Sequence, residues 1–305
     1  MIAPNVRFLP FILLSILCWG LAFPFIKYSL ECGLSSVTLT ILRFVVVCVT
    51  FLILYMARRK MFTPLQRRDV VPIFLVGFFG VIVYHLGLNY GEQFVTAGVA
   101  SLIIATIPVF TVLFALIFLK ERLTVMVSAG VILSLLGVII ITLWGKTDTT
   151  LGIEYILGAA GVLLASLVGA GYTIAGKKLL ERYTALSLTT YAMLLGSLGL
   201  LPFLFLDISS FINEVAHISL DVIGAIIFLG VFSTVISYTL WYTILFHTTA
   251  SSLSVYVYMT PIISTIASYL LFGDMITIYF ILGGALVIGG LVLVNYHQRL
   301  IRLRM

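Results

Sequence analysis

Ten apolar stretches of about 20 residues each, separated by short polar loops, run through this 305-residue chain. They occupy residues 8–29, 35–56, 70–90, 95–119, 124–144, 155–176, 185–206, 220–244, 248–272 and 276–296. As a helix, such a stretch matches the roughly 30 Å hydrocarbon thickness of a bilayer. Only helices and closed barrels satisfy every backbone polar group there. A barrel needs short alternating segments, which continuous apolar runs do not supply. The pattern therefore predicts an all-α integral membrane protein with ten transmembrane helices. At 62% hydrophobic and 9% charged residues, a soluble domain is excluded, since its surface takes about 25% charge. The longest loops, 57–69 and 207–219, are too short to fold alone. The first run follows Arg7 as a secretory signal would. It continues past Phe23 without a small-residue cleavage site before Pro24, and reads as the first span.

The net charge of +6 does not point to a nucleic-acid partner, because the basic residues lie between apolar runs rather than on one periodic face. If the spans alternate, Arg7, Arg58, Arg59, Lys60, Arg67, Arg68, Lys120, Arg122, Lys177, Lys178, Arg182, Arg299, Arg302 and Arg304 fall on one side. Only Lys27 and Lys146 fall on the other. The positive-inside rule then predicts a multi-pass protein of the cell (cytoplasmic) membrane with both termini cytoplasmic. Cys18, Cys32 and Cys48 form no CxxC and no even set, so no disulfide framework, metal site or cofactor is expected.

The chain is also internally repeated. Residues 94–124 align without a gap on residues 247–277, pairing Thr96, Ala97, Ser101, Pro108 and Thr124 with Thr249, Ala250, Ser254, Pro261 and Thr277, and Glu121 with Asp274. At the same offset Gly77 and Phe79 match Gly230 and Phe232, and Gly130, Leu133 and Gly137 match Gly283, Leu286 and Gly290. At a slightly shorter one, Ser15, Gly20, Lys27 and Thr38 match Ser166, Gly171, Lys178 and Thr189. The predicted halves are residues 1–147 and 148–305, five spans each, and an odd number makes them inverted repeats around a central cavity. A proline interrupts the fourth and ninth spans at corresponding places. Inside a membrane it survives only where other groups re-satisfy the backbone, so Pro108 and Pro261 are expected to be gating or hinge points.

CWGLAFPFIKYSL in the first span, LTILRF in the second, GLNYGEQFVTAGVASLI into the fourth and IPVFTVLFALIFLKERLT at its end resemble EamA-type transporters of the drug/metabolite transporter superfamily, as does the second-half copy MTPIISTIASYLLFGDMIT. The likeness covers nearly the whole chain. It implies two inverted five-helix repeats, a cavity open to one side at a time, and outward movement of small metabolites such as amino acids. It further implies that the first four helices of each repeat surround the cavity, with the fifth and tenth peripheral. The second copy departs from the pattern, having Gly273, Asp274 and Met275 where the first has Lys120, Glu121 and Arg122.

Arg43 is the only arginine well inside a span. An intramembrane charge by default faces the bundle interior or a watery cavity, where Arg43 either holds a substrate carboxylate or bonds helix-end carbonyls, Glu92 or Glu31. His85 lies at comparable depth, with Tyr84, Asn89 and Tyr90 nearby, and is either a substrate or proton group or a hydrogen-bonded interior residue. Trp19, Tyr172, Tyr238, Tyr256 and Tyr258 complete the expected substrate-binding set with Arg43, Tyr84, His85 and Asn89. Trp144, Trp241, Tyr242 and Tyr296, near span ends, read as interfacial aromatics. No Asp or Glu falls near the centre of a span, which argues against proton coupling through a buried carboxylate and for facilitated diffusion or exchange.

The residues therefore favour a secondary transporter, a probable exporter, of small metabolites such as amino acids or other amphiphilic solutes. Its partners would be that small-molecule substrate and the lipid bilayer, and a monomer and a homodimer fit equally. An intramembrane enzyme built on Arg43, His85 and Glu92 is the alternative, but it lacks a nucleophile and a metal cluster, and no catalytic residue is assigned. A passive channel or receptor has no need of two interrupted inverted helices.

Overall fold

A computed structural model describes residues 6–120, 124–144, 153–273 and 278–303, which are helical with no strand among them. Glu121, Arg122, Lys146, Asp274, Met275, Thr277 and Arg304 lie outside the described residues, as do the side chains of Trp144 and Tyr296. Eight helices are long and apolar enough to cross a membrane. In chain order the helices are α1 (Leu9–Glu31), α2 (Ser36–Ala57), α3 (Arg67–Phe94), α4 (Ala97–Phe118), α5 (Val125–Trp144), α6 (Ile153–Leu179), α7 (Ala185–Leu206), α8 (Leu220–His247), α9 (Ala250–Phe272) and α10 (Ile278–Leu303). Those counted as spans are all but α5 and α10, whose apolar described stretches are Ser128–Gly137 and Ile281–Gly290.

Packing joins the two halves of the chain. Helix α1 packs on α9 and α8, α4 and α3 pack on α6, α2 packs on α8, α3 on α7, and α5 on α10. Glycines set the close approaches, since a backbone without Cβ lets two helices touch. Gly77 of α3 lies against the Ala192 carbonyl of α7, and Gly230 of α8 against Val46 and the Arg43 carbonyl of α2. Between α5 and α10, Gly137 meets Gly283 and Gly290 meets Gly130.

Helix starts are written in the sequence. Ser35, Thr96, Thr184, Ser219 and Thr249 are N-caps whose hydroxyls accept from the backbone of Thr38, Val99, Ser187, Val222 and Ser252. At the far end of α9, Gly273 takes φ +72°, while its counterpart Lys120 after α4 takes φ +52°. That departure between the two copies is a substitution at a left-handed position, which suits glycine and costs a lysine on the order of 1 kcal/mol.

Five spans are irregular, α7 through a 3₁₀ turn at Leu198–Leu200. Helix α4 breaks at Ala105 and Thr106 before resuming at Ile107, and α9 passes through a 3₁₀ turn, Val255–Met259, before Thr260. Pro108 and Pro261 each sit in the first turn of the resumed segment, where no intrahelical donor is needed. In α3 and α8 the chain winds as a π-helix over Phe79–Tyr84 and Phe228–Ile236. Such wide turns often mark functional sites because they leave carbonyls for other partners.

At the face where α1 begins, the loop between α2 and α3 is tied to α7 and the turn before it. Buried Asp69 accepts from Arg182 Nη1 at 2.9 Å and from Tyr183 Oη at 2.9 Å. The Gln66 amide donates to Tyr183 Oη at 3.0 Å, the Thr63 amide donates to Ser187 Oγ at 2.8 Å, and Tyr191 Oη donates to the Thr63 carbonyl at 2.8 Å. Burial, with Asp69 adding to it, holds the Tyr183 phenol above its usual pKa, so it remains a donor at neutral pH. At the opposite face Glu214, on the short helix Ile208–Ala216, accepts from the Ser35 amide at 2.8 Å.

Candidate functional site

The wide turn of α8 organises the interior. Thr234 and Ser237 donate to the carbonyls five residues back, at 2.8 and 2.7 Å, which fixes the π winding. The loosened strip is completed from the first half of the chain. Trp19 Nε1 of α1 donates to the Ser233 carbonyl at 3.0 Å, Ser233 Oγ donates to the Cys18 carbonyl at 2.7 Å, and Arg43 Nε of α2 donates to Thr234 Oγ1 at 3.0 Å. Trp19 is thus held by a carbonyl that the irregular winding leaves available, and Arg43 by a hydroxyl of the same strip.

These contacts wall a cavity of ≈ 60 Å³, enough for a handful of waters. Its polar and aromatic lining is Trp19, Phe23, Arg43, Tyr84, His85, Tyr172, Thr173, Tyr238, Trp241 and Thr260, and the rest is aliphatic or glycine. The rings form one connected surface. Trp19 lies 5.4 Å from Tyr238 and 5.0 Å from Trp241 between ring centres, Tyr172 meets Tyr238 edge-on at 5.5 Å, and Tyr84 meets His85 at 4.9 Å. Behind this wall Tyr242 stacks on Tyr172 at 5.0 Å and donates to its carbonyl at 3.1 Å. Arg43, 2% exposed, is the only charged residue of the lining, and its Nη1 has no hydrogen-bond partner. A guanidinium in an apolar enclosure, anchored through Nε with an open edge, suits a planar anion such as a carboxylate.

Of the residues singled out from the sequence, Trp19, Arg43, Tyr84, His85, Tyr172 and Tyr238 meet at this cavity. Asn89, Tyr256 and Tyr258 do not. Asn89 points between helices and donates to Thr40 Oγ1 at 2.8 Å. Tyr256 packs in the core with Leu253 and Val257, and Tyr258 in a cluster with Leu102, Val112, Val131 and Val287. The 3₁₀ turn of α9 rotates both tyrosines away and presents Val257 and Thr260 instead. Trp241 and Tyr242 are not interfacial, being 3% and 0% exposed, because α8 continues to His247 and places them in the bundle interior. The repeat held a signal for the missed Trp241. The lining pairs His85 with Tyr238, Leu88 with Trp241, Ile104 with Val257 and Ile107 with Thr260, each 153 positions apart like Thr96 and Thr249. Glu92, left near a span end by the sequence, is fully enclosed, with neither carboxylate oxygen hydrogen-bonded.

Comparison with known proteins adds the following. The model of the EamA-like transporter family matches residues 7–143 and again residues 156–296. An uncharacterized transporter of Archaeoglobus fulgidus is 36% identical over 281 residues, covering 92% of this chain and 96% of its own. A protein of Streptantibioticus cattleyicolor described as a "probable terminal-alkyne amino-acid exporter" is 31% identical over 287 residues, covering 93% of this chain and 92% of its own. A solved crystal structure, 17% identical, superposes with a TM-score of 0.73 over 97% of this chain and 99% of that one, which is a likeness of fold alone.

Proposed function

The chain belongs to the EamA-like transporter family, and we propose that it exports small amphiphilic carboxylates, amino acids among them, by alternating access. The observation that carries this reading is the cavity itself, an aromatic enclosure lined by a single guanidinium whose buried Nη1 has no hydrogen-bond partner. Such a site recognises a solute with a carboxylate at one end and an apolar group at the other. The amino-acid export named for the Streptantibioticus relative is of the same chemical kind.

The proposed frame is ten spans in two inverted repeats, residues 1–147 and 148–305, with both termini cytoplasmic. Two features support it. The main contacts between the halves have counterparts five helices along the chain, so that α1–α9 answers α6–α4, α1–α8 answers α6–α3, and α2–α8 answers α7–α3. Between α5 and α10 the glycines exchange, Gly137 with Gly283 and Gly290 with Gly130, as a two-fold axis between them requires. The cavity lies on that axis, since its lining pairs are themselves repeat-related, and Pro108 and Pro261 are the bending points above and below it.

Counterflow in proteoliposomes tests the function. An internal pool of unlabelled amino acid should accelerate entry of the labelled one for at least one member of a panel of apolar and aromatic amino acids. Arg43→Lys, which loses the planar fork, should raise the half-saturating concentration about tenfold while the folded protein is retained. Absence of counterflow across the panel, or an unchanged affinity in Arg43→Lys, contradicts the proposal.

A further inference from the structure

The facing sides of α2 and α3 carry polar residues at helical spacing, Ser36, Thr40 and Arg43 on one, and His85, Asn89 and Glu92 on the other. The Asn89–Thr40 hydrogen bond and the Phe44–His85 ring contact fix an antiparallel register. Arg43 therefore stands level with His85 at the cavity, and Glu92 level with Ser36 near the opposite face, about 10 Å along the axis on the other side of the Asn89–Thr40 bond. Thr40, Asn89 and Glu92 are 0% exposed. Beyond them Lys27 of α1 donates to the Glu92 backbone carbonyl at 3.0 Å and lies 3.9 Å from Glu31, which borders an open cleft with Tyr28 and Asp221. A line of polar groups thus leads from the cavity to the far face, with one carboxyl enclosed in the middle of it.

We propose that Glu92 is a proton-binding site linked to Arg43, so that a proton on Glu92 and a carboxylate on Arg43 are taken up together. This rests on the transport reading above for its second partner but not for its first. Neither charge has a contact counter-ion, since both Glu92 oxygens and Arg43 Nη1 are unpartnered and Lys27 is committed to a backbone oxygen and Glu31. With the cavity empty, Arg43 and the Glu92 carboxylate offset one another across the Asn89–Thr40 bond. A carboxylate arriving at Arg43 takes over the guanidinium's charge and leaves Glu92 with Lys27 as its one nearby cation, a charge that Lys27 shares with Glu31. A hydronium from the cleft then gives its proton to Glu92, leaving water, and the enclosed site is again neutral. The proton returns to water when the carboxylate leaves.

Other groups on the elements packed against this part of α3 do not replace Glu92. Helix α6 brings exposed Glu154, half-buried Tyr155 and the cavity-side Tyr172. The described α4 segment Ala97–Ile104 has no titratable side chain. On α1 the groups are Lys27, Tyr28 and Glu31, on α2 Arg43, and on α3 itself Tyr84, His85 and Tyr90.

Two measurements on the whole protein in lipid bilayers test this. Infrared difference spectra between acid and alkaline pH should show the carbonyl stretch of a neutral carboxylic acid that titrates, that is lost in Glu92→Gln, and that returns, shifted, in Glu92→Asp. The same spectrum in all three overturns the site, whatever is transported. In the second, N-acetyl-L-phenylalanine, an aromatic carboxylate without an ammonium, is the probe, and an indicator dye follows protons. One proton should be taken up per probe bound, and affinity should rise roughly tenfold as pH falls through the titration, with both effects lost in Glu92→Gln. Probe binding without proton uptake overturns the linkage. No probe binding beside a titrating Glu92 band overturns the carboxylate reading of Arg43 and the linkage, and leaves the proton site standing.

Discussion

At Gly80 the cavity wall has no slack. A methyl group there would come within 2.8 Å of Cδ2 and 3.0 Å of Cε2 of Tyr172, whose ring is backed by the stacked Tyr242 and cannot retreat. Gly80→Ala should therefore lower transport several-fold while the protein remains folded, because it narrows the cavity and tilts one of its rings. Gly171→Ala, whose added methyl meets nothing within 4 Å, should behave as the parent. Initial rates of counterflow at equal amounts of folded protein compare the two; equal rates would mean that Tyr172 does not border the transported solute. Single residues of this kind were only half legible in the sequence. Arg43 and His85 stand out because charge and imidazole are rare in apolar runs, whereas Tyr256 and Trp241 exchange roles through backbone windings that side-chain chemistry does not disclose.

The same limit holds at the scale of elements. Lengths and the two proline breaks could be read from apolar runs and from Pro108 and Pro261. The π turns of α3 and α8 could not, since the α8 turn depends on a tertiary partner as well as on Thr234 and Ser237: Trp19 takes up the Ser233 carbonyl, which a regular α8 would have kept for itself. A local device with a readable sign lies at the short helix Ile208–Ala216. Bonds from the Ser210 amide at 3.1 Å and Ser210 side chain, then from Ser209 Oγ at 3.0 Å, hold the Asp207 carboxyl below its ordinary pKa. A depressed folded value means that the cap stabilises the helix above the unfolded value and is lost as pH falls through the folded one. Asp207→Ala should speed amide exchange in residues 208–216 at neutral pH and make no difference in acid below both values. An equal effect at both pH values would assign the cap to shape rather than charge.

At the scale of the whole molecule, the interior is made almost entirely from contacts between one half of the chain and the other, so neither half encloses the cavity alone. The duplication behind this was visible in paired residues such as Thr96 and Thr249, but the exchange of partners between halves was not, because spacing along a chain says nothing of which helix meets which. The face where α1 begins is tied together by Asp69, Arg182 and Tyr183, and the opposite face by Glu214 and Ser35, which in the proposed transport cycle act as the two closures. Alternating access requires that these two closures not open together. Pulsed electron resonance distances between labels at Lys60 and Glu181 on the first face, and at the exposed Cys32 and His217 on the second, in a chain lacking Cys18 and Cys48, report both closures at once. The account predicts two populations in which one distance is long when the other is short, with Pro108→Ala and Pro261→Ala shifting the balance in opposite directions. Distances that lengthen together, or that stay fixed in the parent and both variants while transport proceeds, would contradict it.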